Sequence, residues 1–160
     1  MRTKKTIKKG SSDFKTIIED NGYFVDKTLL IKEFFEDSSY TLLITRPKRF
    51  GKTLNLSMIE HFFDIQKPES HKLFSDFNIS GKYEFCKERQ NKYPVINISL
   101  KSVKETTWQS CLDKFKSIIS KIYKDHRYLL SSDNLEEDEK YIFEQIIAKR
   151  ASEVEYKESL

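Results

Sequence analysis

Gly51, Lys52 and Thr53 are the residues of this 160-residue chain whose types and spacing best fit chemistry. An ammonium and a hydroxyl at the start of a helix can grip a phosphate chain and its divalent cation. The surrounding loop reads Arg46-Pro47-Lys48-Arg49-Phe50-Gly51-Lys52-Thr53. It matches G-x-x-x-x-G-K-[ST], the phosphate-binding (Walker A) pattern, at every fixed position except the first, where Arg46 stands in place of glycine. Lys52 is expected to reach the β- and γ-phosphates of a nucleoside triphosphate, and the Thr53 hydroxyl to coordinate magnesium. The backbone amides and dipole of the following helix complete a positive concavity. Gly51 lets the backbone approach the phosphates with no side chain in the way. Arg46, Lys48 and Arg49 add charge around the loop, either toward the ligand or as a solvated surface. Pro47 can stiffen the turn that the absent first glycine would otherwise serve. The plainer reading is a turn between a core strand and a core helix that happens to carry a lysine.

In the phosphate-binding motif a strand precedes the loop and a helix follows it. Residues 40–45, Tyr-Thr-Leu-Leu-Ile-Thr, form a nearly continuous apolar run of the kind that enters parallel sheets buried on both faces. Residues 53–64 carry Leu54, Met58, Ile59, Phe62 and Phe63 near helical spacing, and Lys67-Pro68-Glu69-Ser70 closes that unit. A second strand is predicted over 94–100, with Pro94 at its entry, where no ladder donor is needed. Amphipathic helices are predicted over 107–128 and 135–149, and short apolar stripes at Phe14, Ile17 and Ile18 and at Leu29, Leu30, Phe34 and Phe35. Asp26 is read as a helix N-cap, with a ligand contact as its alternative. Residues 73–93 show no clear period. The predicted fold class is α/β and P-loop NTPase-like, an incomplete parallel sheet flanked by helices. With only three prolines and four glycines, helix is expected to dominate.

A net charge of +4, from 29 basic against 25 acidic residues, is too small to argue for nucleic-acid binding by itself. Arg2, Lys4, Lys5, Lys8 and Lys9 crowd the amino terminus, and residues 1–12 are read as a disordered basic tail. Glu136, Glu137, Asp138 and Glu139 form an acidic run. Cys86 and Cys111 are in no metal-ligand spacing and are read as reduced thiols, which suits the cytoplasm. No run of about 18 apolar residues occurs, so no membrane partner is expected. His61, His71 and His126 receive no catalytic role, and no catalytic residue is singled out. His61 is read as packed or solvated on its helix, with no serine, cysteine or paired carboxylate forming a constellation with it.

Residues 23–28, 43–53 (LITRPKRFGKT), 54–64 (LNLSMIEHFFD), Leu73-Phe74 and 93–101 (YPVINISLK) together resemble the bacterial and archaeal AAA-ATPase-like proteins. These are P-loop proteins whose intact members often carry a restriction-endonuclease-like nuclease domain after the ATPase domain. The likeness covers most of residues 14 to 108, in the family's order, and arginine before the proline is usual in that family. It implies ATP and magnesium as ligands, bound through Gly51, Lys52 and Thr53, and a further role for Asp26-Lys27-Thr28 that spacing does not reveal. The family's acidic (Walker B) strand has no counterpart, since 95–100 contains no acid. Residues 13–160 are therefore read as the amino-terminal part of such a domain, truncated before that strand, whose missing carboxyl-terminal half or partner chain would supply the acid. Two other functions compete with nucleotide binding: a nucleic-acid-binding module using the basic tail and the loop's cations, and an inactive remnant or interaction fragment presenting the acidic, amphipathic region 135–158.

Overall fold

The computed structural model describes residues 5–7 and 10–159. Of the basic amino terminus, residues 1–4, 8 and 9 lie outside the described set, as does Leu160. The chain divides into two compact units, Met1–Asn97 and Ile98–Leu160.

The first unit forms around α3, Lys52–Phe63. Ser57, Met58, Ile59, His61, Phe62 and Phe63 are all buried, so its carboxyl-terminal half is enclosed on several sides, not on one stripe. Helix α1, Phe14–Glu19, packs on it and begins where the Asp13 carboxylate accepts the Thr16 amide at 2.7 Å. Helix α2, Leu29–Glu36, contributes Ile31, and a 3-10 segment, Pro68–Phe74, contributes Leu73 and Phe74. Aromatic rings fill the core. Phe14 stacks on Phe74 with centroids 5.0 Å apart and meets Phe24 edge-on at 5.2 Å, while Phe62 meets Phe74 edge-on at 5.2 Å.

The stretch that shows no period in the sequence holds a second 3-10 segment, Asn78–Gly81, then α4, Tyr83–Arg89, and a clasp on the end of α3. Asn91 adopts a left-handed backbone, φ 53°, which asparagine tolerates better than most residues. Its amide nitrogen lies 3.0 Å from the carbonyl oxygens of Asp64 and Lys67 and 3.3 Å from that of His61. Its backbone N–H donates to Phe62, and that of Tyr93 to Phe63. The carbonyls that a helix end leaves without partners are thereby satisfied.

The predicted α/β fold with an incomplete parallel sheet is overturned. Among the described residues there is no strand, and the only ladder-type pairings are two isolated bridges, Thr6 with Gly22 and Asp64 with Tyr93. Residues 40–45 and 94–100 are irregular apart from Tyr93's bridge beside them, and their apolar side chains are largely in solvent, Leu43 at 83% and Ile96 at 56% exposure. An apolar run records a tendency to be covered, whereas a strand exists only when a neighbouring backbone takes up its amides and carbonyls. Neither run has that neighbour. The helices begin and end close to where the periodicity puts them.

The second unit is helical among its described residues. Helix α5, Trp108–Asp125, starts at Thr107, whose hydroxyl accepts the Ser110 amide at 3.2 Å. Helix α6, Glu137–Ile147, packs on α5, and α7, Glu153–Glu158, packs on α6. A 3-10 segment, Arg127–Ser131, follows α5. Ile119, Ile146 and Tyr156 form the buried centre, flanked by Tyr123, Ile142 and Ala151. The Ser120 hydroxyl donates to the Ile147 carbonyl at 2.9 Å. The acidic run 136–139 falls at the start of α6, where negative charge suits the helix dipole, and the Glu139 carboxylate accepts the Glu136 amide at 2.8 Å.

Candidate functional site

The loop 46–53 enters α3 through two left-handed residues, Arg49 at φ 67° and Gly51 at φ 77°. The Phe50 amide donates to the Pro47 carbonyl at 3.4 Å, closing a tight turn, and the Asn55 amide donates to Gly51 at 2.9 Å as the helix begins. At Gly51 the backbone angle, not crowding, calls for glycine: nothing lies within 4 Å of where a Cβ would stand. That position is open to a ligand. No side chain caps the amino terminus of α3, so its first amides are free of side-chain acceptors.

Lys52 folds back over the loop. Its Nζ donates to the carbonyl oxygens of Arg46 at 2.5 Å and Pro47 at 3.0 Å, and so ties the start of α3 back to the entrance of the turn. Thr53 is exposed, and its hydroxyl makes no hydrogen bond among the described residues. No carboxylate among the described residues lies within ion-pair distance of Arg46, Lys48, Arg49 or Lys52. Four cations in seven positions therefore stand without an acidic counter-charge, and an anion is what their summed field attracts.

Two clefts flank the loop. The larger, about 440 Å³, lies against Asp26, Glu33, Ile44, Arg46 and Asn78; the smaller, about 320 Å³, lies against Tyr23, Val25, Arg49 and Gly51. Lys27, Phe50 and Asn55 line both. The sequence alone does not account for Asp26-Lys27-Thr28, but the geometry does. Asp26 Oδ1 accepts the Thr28 amide at 2.8 Å and the Thr28 hydroxyl at 2.7 Å, and Oδ2 accepts the Asn78 amide at 2.8 Å. The Thr28 hydroxyl, fully buried, in turn accepts the Ile79 amide at 3.1 Å. The segment is stapled to the 3-10 turn Asn78–Gly81, and that staple seats Lys27 between the clefts. The reading of Asp26 as the N-cap of α2 is corrected: Thr28 occupies the cap position and Asp26 fixes Thr28. Burial raises the Asp26 pKa, but the hydrogen bonds from Asn78 and Thr28 outweigh it and hold the carboxyl below its ordinary value.

Elsewhere in the unit, His61 joins a group that sequence reading misses. Its Nδ1 lies 3.1 Å from Ser70 Oγ and its Nε2 3.3 Å from Asp13 Oδ2. Asp13 Oδ2 also accepts the Ser57 hydroxyl at 3.1 Å, and Ser57 Oγ accepts the Phe14 amide at 3.0 Å. The trio has the residue types of a nucleophilic triad, yet Ser70 is 1% exposed, so no substrate carbonyl can reach its oxygen. Its work is to lock α1 and the Pro68–Phe74 segment onto α3. Separations of 48 and 9 residues leave no local signal by which it could be found. Among the described residues no group of three His, Cys, Asp or Glu could hold a metal ion. Cys86 and Cys111 are free thiols, and no described helix is long and apolar enough to cross a membrane.

The model of a protein family described as "Predicted AAA-ATPase" matches residues 8–157. No curated protein and no solved structure matches the chain.

Proposed function

This chain belongs to the predicted AAA-ATPase family, and from that premise we propose that residues 46–53 bind the polyphosphate of a nucleoside triphosphate, ATP, together with magnesium. The observation that carries the reading is the loop itself: four cations with no acidic partner among the described residues, turning through a left-handed Gly51 into a helix end that no side chain caps. The α3 amides and the open position at Gly51 receive the phosphate oxygens. Lys52, already held over the loop by two neutral carbonyls, presents its charge to the β- and γ-phosphates without first having to break an ion pair. Arg46, Lys48 and Arg49 supply surrounding positive field, and Pro47 and Phe50 form the turn that presents them. The Thr53 hydroxyl fits as a magnesium ligand because it is exposed and uncommitted. When bound, magnesium neutralises charge on the phosphate oxygens. The reading is one of binding. Asp26, a carboxylate at the larger cleft, has both oxygens committed to Thr28 and Asn78, and no residue is assigned a part in hydrolysis.

Calorimetric titration with magnesium-ATP, beside a Lys52→Ala variant whose folding is matched by circular dichroism, tests this. Saturable binding is expected in the parent chain and a loss of about a hundredfold or more in the variant, equivalent to about 3 kcal/mol. Equal binding by both proteins refutes the assignment. The same unpaired cations could instead meet a nucleic-acid backbone; affinity for an oligonucleotide that falls steeply with salt and ignores magnesium-ATP would mark that second reading.

A further inference from the structure

We propose that the smaller cleft seats the nucleobase of the bound nucleotide, with Tyr23 as its stacking platform; this rests on the assignment of the phosphates to the loop. Gly51 lines that cleft and not the larger one, so a ligand whose phosphates lie at Gly51 continues directly into it. Carboxylates separate the two further. None lines the smaller cleft, whose charged residues are Lys27 and Arg49, whereas in the larger Asp26 and Glu33 offset the charge of Lys27 and Arg46.

The walls have the character of a base site. Tyr23, Val25 and Phe50 are 62%, 58% and 62% exposed, three large apolar side chains left in water around one cavity. They are held there by their neighbours. Phe24 is buried against Phe14 and Phe77, with centroids 5.2 and 5.4 Å away, while Tyr23 and Val25 on either side of it remain exposed. The Tyr23 amide is tied to the Thr6 carbonyl at 2.7 Å, and Asp26 is stapled to Asn78. The backbone that carries Tyr23 and Val25 is therefore tied on both sides before any ligand arrives, which lowers the entropy lost on binding. Asn55, one helical turn beyond Gly51, adds a carboxamide with no intramolecular partner among the described residues. One face of an amide both donates and accepts, which matches an adenine edge.

The experiment titrates magnesium-ATP and magnesium-tripolyphosphate, which lacks base and sugar, into the parent chain and into Tyr23→Ala, Tyr23→Phe and Lys52→Ala variants. Loss of one stacked aromatic is expected to weaken ATP binding about tenfold or more in Tyr23→Ala. Tyr23→Phe should restore it, and both Tyr23 variants should bind tripolyphosphate like the parent. If Tyr23→Ala binds ATP normally while Lys52→Ala does not, the base lies elsewhere, and the inference falls while the phosphate assignment stands. Equal losses of ATP and tripolyphosphate in Tyr23→Ala would make Tyr23 a support of the fold and overturn the inference. If Lys52→Ala retains both ligands, the phosphate assignment fails and takes the base site with it.

Discussion

Asp13 illustrates how much one exposed-looking carboxylate can organise. One oxygen accepts the Thr16 amide and hydroxyl, starting α1, and the other receives Ser57 and faces His61 on α3. Burial pushes its pKa up, but hydrogen bonds from Thr16, His61 and Ser57 prevail and bring it from 3.8 to about 2. A carboxyl whose folded pKa lies below its unfolded value contributes stability that is fully present above the unfolded value and is lost as pH falls through the folded one. The window here runs from about pH 4 down to about pH 2. Thermal midpoints measured between pH 5 and pH 2 are expected to fall for the parent chain and to fall less for Asp13→Asn; parallel curves would remove Asp13 as a source of acid lability. At this scale the sequence is legible where function needs contiguous residues. Gly51, Lys52 and Thr53 declare themselves by spacing, whereas Asp13, His61 and Ser70 meet only because three elements fold together.

Among the elements, α3 carries two tasks: its first turn faces the candidate site, and its last two turns are the centre of the core. The Asn91 clasp at its far end is therefore coupled to stability more tightly than a polar loop residue ordinarily is. Asn91→Ala leaves the carbonyls of His61, Asp64 and Lys67 without its side-chain amide and puts alanine at φ 53°, with an expected cost of about 1–3 kcal/mol. Asn91→Gly relieves the backbone strain but still loses the amide. Urea midpoints should drop for both with unchanged slope, more for alanine; no drop in glycine would assign the whole effect to backbone conformation. Periodicity identifies α2, α3, α5 and α6 because a helix satisfies its own backbone and needs only a buried face from its surroundings. Strands depend on a partner segment that local sequence does not specify. Residues 40–45 and 94–100 have the composition without the pairing, which is why the expected sheet fails.

At the scale of the molecule, each unit has its own apolar centre among the described residues, a cluster of eleven buried side chains in Met1–Asn97 and one of three in Ile98–Leu160, where Ile122 and Phe143 are buried as well. The smaller centre has little redundancy. Ile146 is fully buried there, and Ile146→Ala is expected to cost about 2–5 kcal/mol. Hydrogen exchange followed by mass spectrometry should show faster exchange through α5 and α6; unchanged protection would mean that capping, rather than this cluster, holds the helices. The candidate nucleotide residues all fall within Met1–Asn97.

The uncovered stretch before the loop carries a different liability. Thr41-Leu42-Leu43-Ile44-Thr45 is free of charge, glycine and proline, the composition of segments that stack into dry intermolecular zippers. Immediately after it come Arg46, Pro47, Lys48 and Arg49, a proline and three like charges of the sort that act as gatekeepers against aggregation. Residues of these kinds beside an apolar run hinder one copy of a chain from templating on another. That guard is electrostatic, and it weakens in concentrated salt, where charge is felt over only about 3 Å at 1 M.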